Sequence, residues 1–293
     1  MKVFVTGGTG LIGSAVLAEL IRAGHTVTAL ARSDASAAKA EAAGATAVRG
    51  GLADLDVLRT GAREAGGVVH LAYRNDFSSA DAVAHAVAEE AEALDALGEA
   101  LIGTDKPLVT VSGTPFVPGR ASTEEDPVPT DGLVGGRGRS VERVLALAPR
   151  GVRGSAIRLP RTVHHDGQGG FTGVLTEAAR RTGVAGYPGD GTQRWPAVHA
   201  LDAAVLFRLA LEKAPAGTAW HAVADEGVAV RDMAEVIGER LGLPVEAVPQ
   251  ESFGPLGPLF VTDQPASSAY TRAELGWEPK RPGLLEDLGN LKG

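Results

Sequence analysis

The chain has 293 residues, 44% apolar and 22% charged, which is ordinary usage for a soluble globular protein with room for one large α/β domain or a domain plus a smaller lobe. Its 28 Lys plus Arg against 36 Asp plus Glu give a formal net charge of −8, and with no basic run this argues against a nucleic-acid partner. Without cysteine there is neither disulfide nor thiolate chemistry and no statement about compartment, while short apolar stretches and an N-terminus that runs from Met1-Lys2 straight into Val3-Phe4-Val5 predict no membrane span and no export leader, hence a cytoplasmic protein.

Short apolar runs alternate with helical patterns through the first half, the sequence form of βαβ units on a parallel sheet. Strand one is expected at Lys2–Thr6 and a helix at Leu11–Ala23, with Ile12, Val16 and Leu20 on one face and Gly24 closing it. Strand two follows at Thr26–Ala31, an Ala-rich helix at Asp34–Ala43, and strand three at Thr46–Arg49, with Asp54 placed to cap the next short helix. Strand four is expected at Val68–Ala72 and a long helix at Ser78–Ile102, carried by Val83, Val87, Leu94, Leu97 and Leu101. Strand five (Pro107–Val111), a helix (Arg139–Ala148) and strand six (Arg153–Arg158) complete a doubly wound α/β domain over residues 1–160. From 161 to 293 glycine and proline become frequent. Helices at Phe171–Thr182, Leu201–Leu211 and Val230–Leu241 and a strand at Ala219–Val223 predict mainly a smaller lobe, some of whose segments return to the sheet. The connection 113–135 is long for a structureless link, which predicts a functional or mobile loop.

Thr6-Gly7-Gly8-Thr9-Gly10-Leu11-Ile12-Gly13 lies between the first strand and the first helix. Gly8, Gly10 and Gly13 fit G-x-G-x-x-G, and Gly7, Gly10 and Gly13 fit the looser G-x-x-G-x-x-G. The glycines would give a tight turn, close approach of backbone to a pyrophosphate, and close helix–strand packing, with helix amides facing the phosphates. Strand two ends in Arg32-Ser33, where an acid would hold the ribose hydroxyl of NAD and an Arg pairs with the 2′-phosphate of NADP. NADP is therefore expected over NAD, the alternative being a solvated Arg32 with Asp34 on the ribose.

Taken together, T-G-G-T-G-L-I-G at 6–13, H-L-A at 70–72, V-T-V-S-G-T at 109–114, R-L-P at 158–160 and D-G-T-Q-R-W-P-A-V-H-A-L-D at 190–202 resemble the extended and atypical branch of the short-chain dehydrogenase/reductases, the NAD-dependent epimerase/dehydratase family. The resemblance implies a Rossmann domain, a C-terminal substrate lobe and hydride exchange between nicotinamide and a carbonyl or alcohol. It implies that Leu71 and Ala72 line the cofactor, that Arg158, Leu159 and Pro160 lie near the nicotinamide, and that Thr114 binds the substrate oxygen with Ser112 beside it. A turn hydroxyl serving the local backbone is the other reading of Thr114. The resemblance also suggests that the helices at 78–102 and 139–148 pair in a homodimer, unless their apolar faces are satisfied by the chain's own sheet, as in a monomer.

The family's Tyr-x-x-x-Lys pair is missing: Tyr73, Tyr187 and Tyr270 are followed four residues later by Phe77, Gly191 and Glu274. Alignment on Glu142 puts Val134 at the Tyr position and Gly138 at the Lys position, with Arg137 or Arg139 able to supply the charge but not the acid. His164, in His164-His165-Asp166 just after strand six, is the expected acid–base group, because histidine titrates in the right range. Tyr73 and Tyr187 are expected as aromatic pocket walls, His199 as a pocket imidazole that is buried and hydrogen-bonded, and Asp202 as a cap. No metal site is expected, since no further ligand set accompanies the paired histidines. The sequence thus predicts an NAD(P)-dependent oxidoreductase acting on a small carbonyl, imine or alcohol; a non-catalytic NADP-binding regulator, or an isomerase or cyclase that keeps the cofactor, are the alternatives.

Overall fold

The computed structural model describes residues 1–74, 76, 79–131 and 135–292. Ser78, where the long helix was expected to begin, and Val134, at the expected Tyr position, lie outside them.

The elements of the large sheet are Lys2–Thr6 (β1), Leu11–Arg22 (α1), Thr26–Ala31 (β2), Asp34–Ala42 (α2), Thr46–Arg49 (β3), Leu55–Glu64 (α3), Gly67–His70 (β4), Ala80–Leu101 (α4), Pro107–Gly113 (β5), Gly135–Leu145 (α5) and Arg153–Leu159 (β6). Thr162–His164 (β7), Gly170–Thr182 (α6), Ala185–Pro188 (β8) and Arg194–His199 (β9) build the start of the lobe. Ala200–Lys213 (α7) and Thr218–His221 (β10) then return to the large sheet, before Asp225–Ala229 (β11), Val230–Leu241 (α8), Val245–Val248 (β12), Gly257–Phe260 (α9), Ala269–Leu275 (α10) and Leu284–Leu288 (α11). Seven strands lie in the order β3-β2-β1-β4-β5-β6-β10, all pairs parallel, so the order reverses between β1 and β4. That is the switch point where open α/β sheets hold ligands at their strand C-termini.

Alternation along β1 explains the two layers. Val3 and Val5 face a core shared with α1 and α7, while Phe4 faces Leu58, Leu94, Leu97, Leu101 and Leu108 on the other side. Gly61 lets α3 lie directly on that ring, since a Cβ there would meet Phe4 Cζ at 2.6 Å. On the first face, Arg208 of α7 reaches Glu19 of α1 at 2.7 Å, and Asp202 accepts the amides of Lys280 and Arg281 at 3.0 and 2.9 Å. The cap of α7 is His199, whose Nδ1 accepts from the Leu201 amide at 3.1 Å; Asp202, expected there as a cap, instead anchors the C-terminal segment.

The lobe has its own core of Trp195, Leu175, Met233, Ile237, Phe260 and Leu288, with small sheets β11-β9-β7 and β12-β8. The loop from 114 to 131 carries a single bridge, Ser122 to Ala266, but it is fastened at several points. The Glu124 carboxylate accepts from Thr271 Oγ1 and its amide, and Arg158 Nη1 donates to the carbonyls of Glu124 and Asp126 at 3.0 and 2.8 Å.

The apolar residues of α4, Val83, Leu94, Leu97 and Leu101, are buried in this chain's own core. Its outward face carries Asp81, His85, Glu92, Asp95 and Glu99. No helix among the described residues is long and apolar enough to cross a membrane.

Candidate functional site

The glycine turn between β1 and α1 is shaped from below and open above. Gly7 has φ +72, and a Cβ there would lie 2.6 Å from the Ala72 amide nitrogen, so the exit of β4 at Leu71 and Ala72 is pressed onto the loop. A Cβ on Gly13 would lie 2.0 Å from the Gly7 carbonyl oxygen, and one on Gly8 would lie 2.9 Å from Leu17 Cδ1. Gly10 differs: a Cβ there would meet only the Gly7 oxygen, at 3.8 Å. Three glycines are therefore required by packing, and the fourth leaves backbone exposed with space above it. Gly10 also caps α1 without any side chain, and no acid stands in the first turn, so the amides of Leu11, Ile12 and Gly13 begin a helix whose positive end is unneutralised. Thr9 is half-buried beside them, and Leu11, exposed, lies under Gly169 of the lobe. These features fit a dinucleotide pyrophosphate, which needs close backbone approach and amide donors.

At the end of β2, Arg32 is exposed and makes no ion pair among the described residues. Ser33 caps α2 in a reciprocal box with Ser36, its Oγ accepting from the Ser36 amide at 3.2 Å. Asp34 is engaged by Arg49, which stands opposite Ala31 on β3, at 3.2 Å.

Two hydroxyls end β5. Thr114 is 7% exposed; its amide donates to the Leu159 carbonyl at 2.9 Å and its own carbonyl accepts from Gln264 Nε2 at 2.8 Å, while Oγ1 has no partner among the described residues. Ser112 Oγ is likewise buried without a partner. Buried hydroxyls are ordinarily satisfied, and Thr110 Oγ1 on the same strand is in the same state, so β5 and its exit keep hydrogen-bonding capacity unspent. Pro160 follows at the end of β6, buried.

Tyr73 leaves β4 next to a charged pair. The Arg137 guanidinium lies 4.0 Å from the Tyr73 ring centroid and holds the buried Glu90 carboxylate through Nε at 2.9 Å and Nη2 at 2.9 Å. Burial pushes the Tyr73 phenol above its usual value, Arg137 pulls it back and Glu90 pushes it further up. Burial pushes the Glu90 carboxyl up too, against the pull of Arg137. Below them His70 is fully buried, with Nδ1 3.0 Å from Thr6 Oγ1, and burial together with Arg137 lowers its pKa to about 3. It is a neutral structural imidazole at any ordinary pH.

Arg139 spends a guanidinium nitrogen on the Thr130 carbonyl. At Gly138, the expected Lys position, a Cβ would lie 2.1 Å from the Pro129 oxygen, so no side chain fits there. Arg158 is buried with its Nη1 on loop carbonyls. The Tyr187 ring packs against the lobe's own core with Arg231 5.6 Å from its centroid.

His164 is not on the open sheet edge where it was expected. It ends β7, which pairs with β9 so that His164 stands opposite His199. It is 1% exposed; Nδ1 is 2.8 Å from Asp287 Oδ2, Nε2 has no partner among the described residues, and the His199 ring stands edge-on at 5.4 Å. Burial alone pushes the Asp287 carboxyl up, but bonds from His164 and the Gly167 amide outweigh it and hold it below its ordinary value. Asp287, 123 residues away, was invisible as a partner in the sequence. Among the described residues no group of three or more His, Cys, Asp or Glu is placed to hold a metal.

The sequence reading also passed over Arg161 and Gln264. Arg161 Nε donates to Gln264 Oε1 at 2.8 Å and Nη1 to the Leu259 carbonyl at 2.6 Å, which ties the first residues of the lobe to Thr114 through Gln264.

Residues 3–222 match the model of the NAD dependent epimerase/dehydratase family. Uncharacterized proteins of Schizosaccharomyces pombe and Saccharomyces cerevisiae are each 42% identical, over 296 and 297 residues, with 99% and 98% of both chains covered. A UDP-glucose 4-epimerase of Stenotrophomonas maltophila, solved with bound NAD and formylated UDP-arabinopyranose, superposes with a TM-score of 0.79 at 21% identity, covering 99% of this chain and 96% of that one. That likeness is one of fold.

Proposed function

The chain belongs to the NAD dependent epimerase/dehydratase family, and from that premise we propose that it is an NAD(P)-dependent oxidoreductase acting on a small carbonyl or alcohol. The observation that carries this reading is the glycine turn, closed by packing at Gly7, Gly8 and Gly13 and open only at Gly10. NADP is the favoured form, because Arg32 at the end of β2 makes no ion pair among the described residues while Asp34, two residues on, is engaged by Arg49.

A bound nicotinamide supplies or takes the hydride. Thr114 Oγ1 binds the substrate oxygen, its hydrogen-bonding capacity being unspent. Tyr73, rather than the enclosed His164, gives the proton to that oxygen on reduction. Its phenol stays protonated at neutral pH, and Arg137 over the ring, fixed in turn by Glu90, stabilises the phenolate left behind. Thus the acid comes from the segment that follows β4 and the cation from α5, instead of both from one helix turn. The buried apolar face of α4 favours a monomer.

The test is NADPH oxidation over a panel of aldehydes and ketones. Tyr73→Phe should lower kcat by about 10²–10⁴ with NADPH affinity unchanged. His164→Ala should lower the melting temperature and leave the kcat of the folded fraction near that of the parent. Full turnover in Tyr73→Phe overturns the acid assignment, and no hydride transfer to any member of the panel overturns the oxidoreductase reading.

A further inference from the structure

Arg161 is a half-buried guanidinium without an acidic partner among the described residues. Its neighbours are an amide oxygen, a backbone carbonyl and two aromatic rings, Phe171 and Trp195, 5.4 and 5.5 Å from its centre. Burial with no compensating carboxylate lowers its pKa to about 10. Nη2 meets no protein acceptor among the described residues. Arg194, on the neighbouring β9, shows the contrast: it is neutralised by Asp263 through Nε at 3.1 Å and Nη2 at 2.9 Å. A half-buried cation without a carboxylate partner costs stability, and a guanidinium left in that state suits a carboxylate or phosphoryl oxygen brought by a ligand.

Its position matches that use. Arg161 stands two residues beyond Leu159, whose carbonyl accepts from Thr114, and Gln264 bridges Arg161 Nε to the Thr114 carbonyl with 2.8 Å at each end. Phe116, two residues after Thr114 in the chain, and Leu259, whose backbone carbonyl holds Arg161, are large apolar side chains left exposed.

We infer that Arg161 recognises an oxyanion on the substrate, so that the substrate is a carbonyl compound or alcohol carrying a carboxylate or phosphoryl group, with Gln264 holding the guanidinium in register with Thr114. This rests on the oxidoreductase reading above. The test uses the full chain saturated with NADP and calorimetric titration of three matched pairs: benzoylformate and its methyl ester, acetoacetate and its methyl ester, phenyl phosphate and phenol. At least one anion should bind tenfold or more tightly than its neutral partner, and the pair that does so tells carboxylate from phosphoryl. Arg161→Gln should abolish that preference while NADP affinity stays at the parent value, and Arg161→Lys should restore part of it. No preference in any pair, or a preference that survives in Arg161→Gln, overturns the inference. Should Arg161→Gln fail to fold by its melting curve, the matched pairs on the parent and Arg161→Lys still decide. Anion preference without turnover breaks the oxidoreductase reading alone, and turnover without anion preference breaks the Arg161 assignment alone.

Discussion

Adding one methyl group at Gly10 and one at Gly13 should separate ligand binding from folding. A Cβ at Gly10 meets nothing closer than the Gly7 oxygen at 3.8 Å, so Gly10→Ala leaves the loop intact and costs no more than about 1 kcal/mol at a helix cap. The same methyl occupies the space from which a pyrophosphate would approach the backbone. Loss of at least tenfold in affinity, about 1.4 kcal/mol, is expected for NADH and NADPH alike. At Gly13 the added Cβ would sit 2.0 Å from the Gly7 oxygen, a distance no packing tolerates, so loop or helix must shift. Gly13→Ala should cost about 1–3 kcal/mol of stability or more and lose both cofactors with it. Calorimetric titration with each dinucleotide, beside urea melts of the same samples, reads both quantities. Parent affinity for both cofactors in a normally folded Gly10→Ala protein would refute the placement of the pyrophosphate.

Arg32→Ala should weaken NADPH by about 1.5–3 kcal/mol, roughly 10- to 150-fold, and leave NADH unchanged, as one expects when a charge-assisted contact to the 2′-phosphate goes. Equal losses for both in the same titration would count against it. His70 predicts acid sensitivity: its pKa is about 3 in the folded chain against an ordinary 6.5, so the unfolded chain takes up a proton first as pH falls. Stability from this group is complete above about pH 6.5 and drains away down to about pH 3, at about 1.4 kcal/mol per pH unit. His221, lowered to about 4, adds to the slope over a shorter range. Urea melts from pH 7 to 4 should show a shallower fall in His70→Asn, and an unchanged slope would remove His70 from the account.

The sheet was legible because each strand of the first half is a compact apolar run bounded by glycine or a helix signal, and β1, β2 and β3 fall on their expected residues. The start of α5 was not. The helix was expected to begin at Arg139, yet Gly135, Gly136 and Gly138 lie inside it, at places where Cβ atoms would sit 2.4 Å from Thr130, 2.2 Å from Val87 and 2.1 Å from Pro129. Close packing overrode propensity there. The short strand β7 was missed because three residues carry no period, and with it went the reason for burying His164. In the site, the glycine turn is a local motif and could be read directly. The pairs that shape the rest, Arg137 with Glu90, His164 with Asp287, Arg161 with Gln264, join residues 47 to 123 positions apart, and no spacing rule announces them.

The return of α7 and β10 to the large sheet bears on how the protein is made. The core under α1 includes Ala203, Leu206, Phe207 and Ala210 of α7 and Trp220 of β10. When the ribosome has delivered only the first six strands, the part of α1 that packs on α7 has no cover, and the β6 edge is unpaired. At about 5–20 residues per second, the intervening segment through β10 takes several seconds to emerge. During that interval the nascent chain exposes an apolar face and a bare strand edge, the two features that invite aggregation. Completion of the seven-stranded half therefore waits on a stretch of chain lying beyond the start of the lobe.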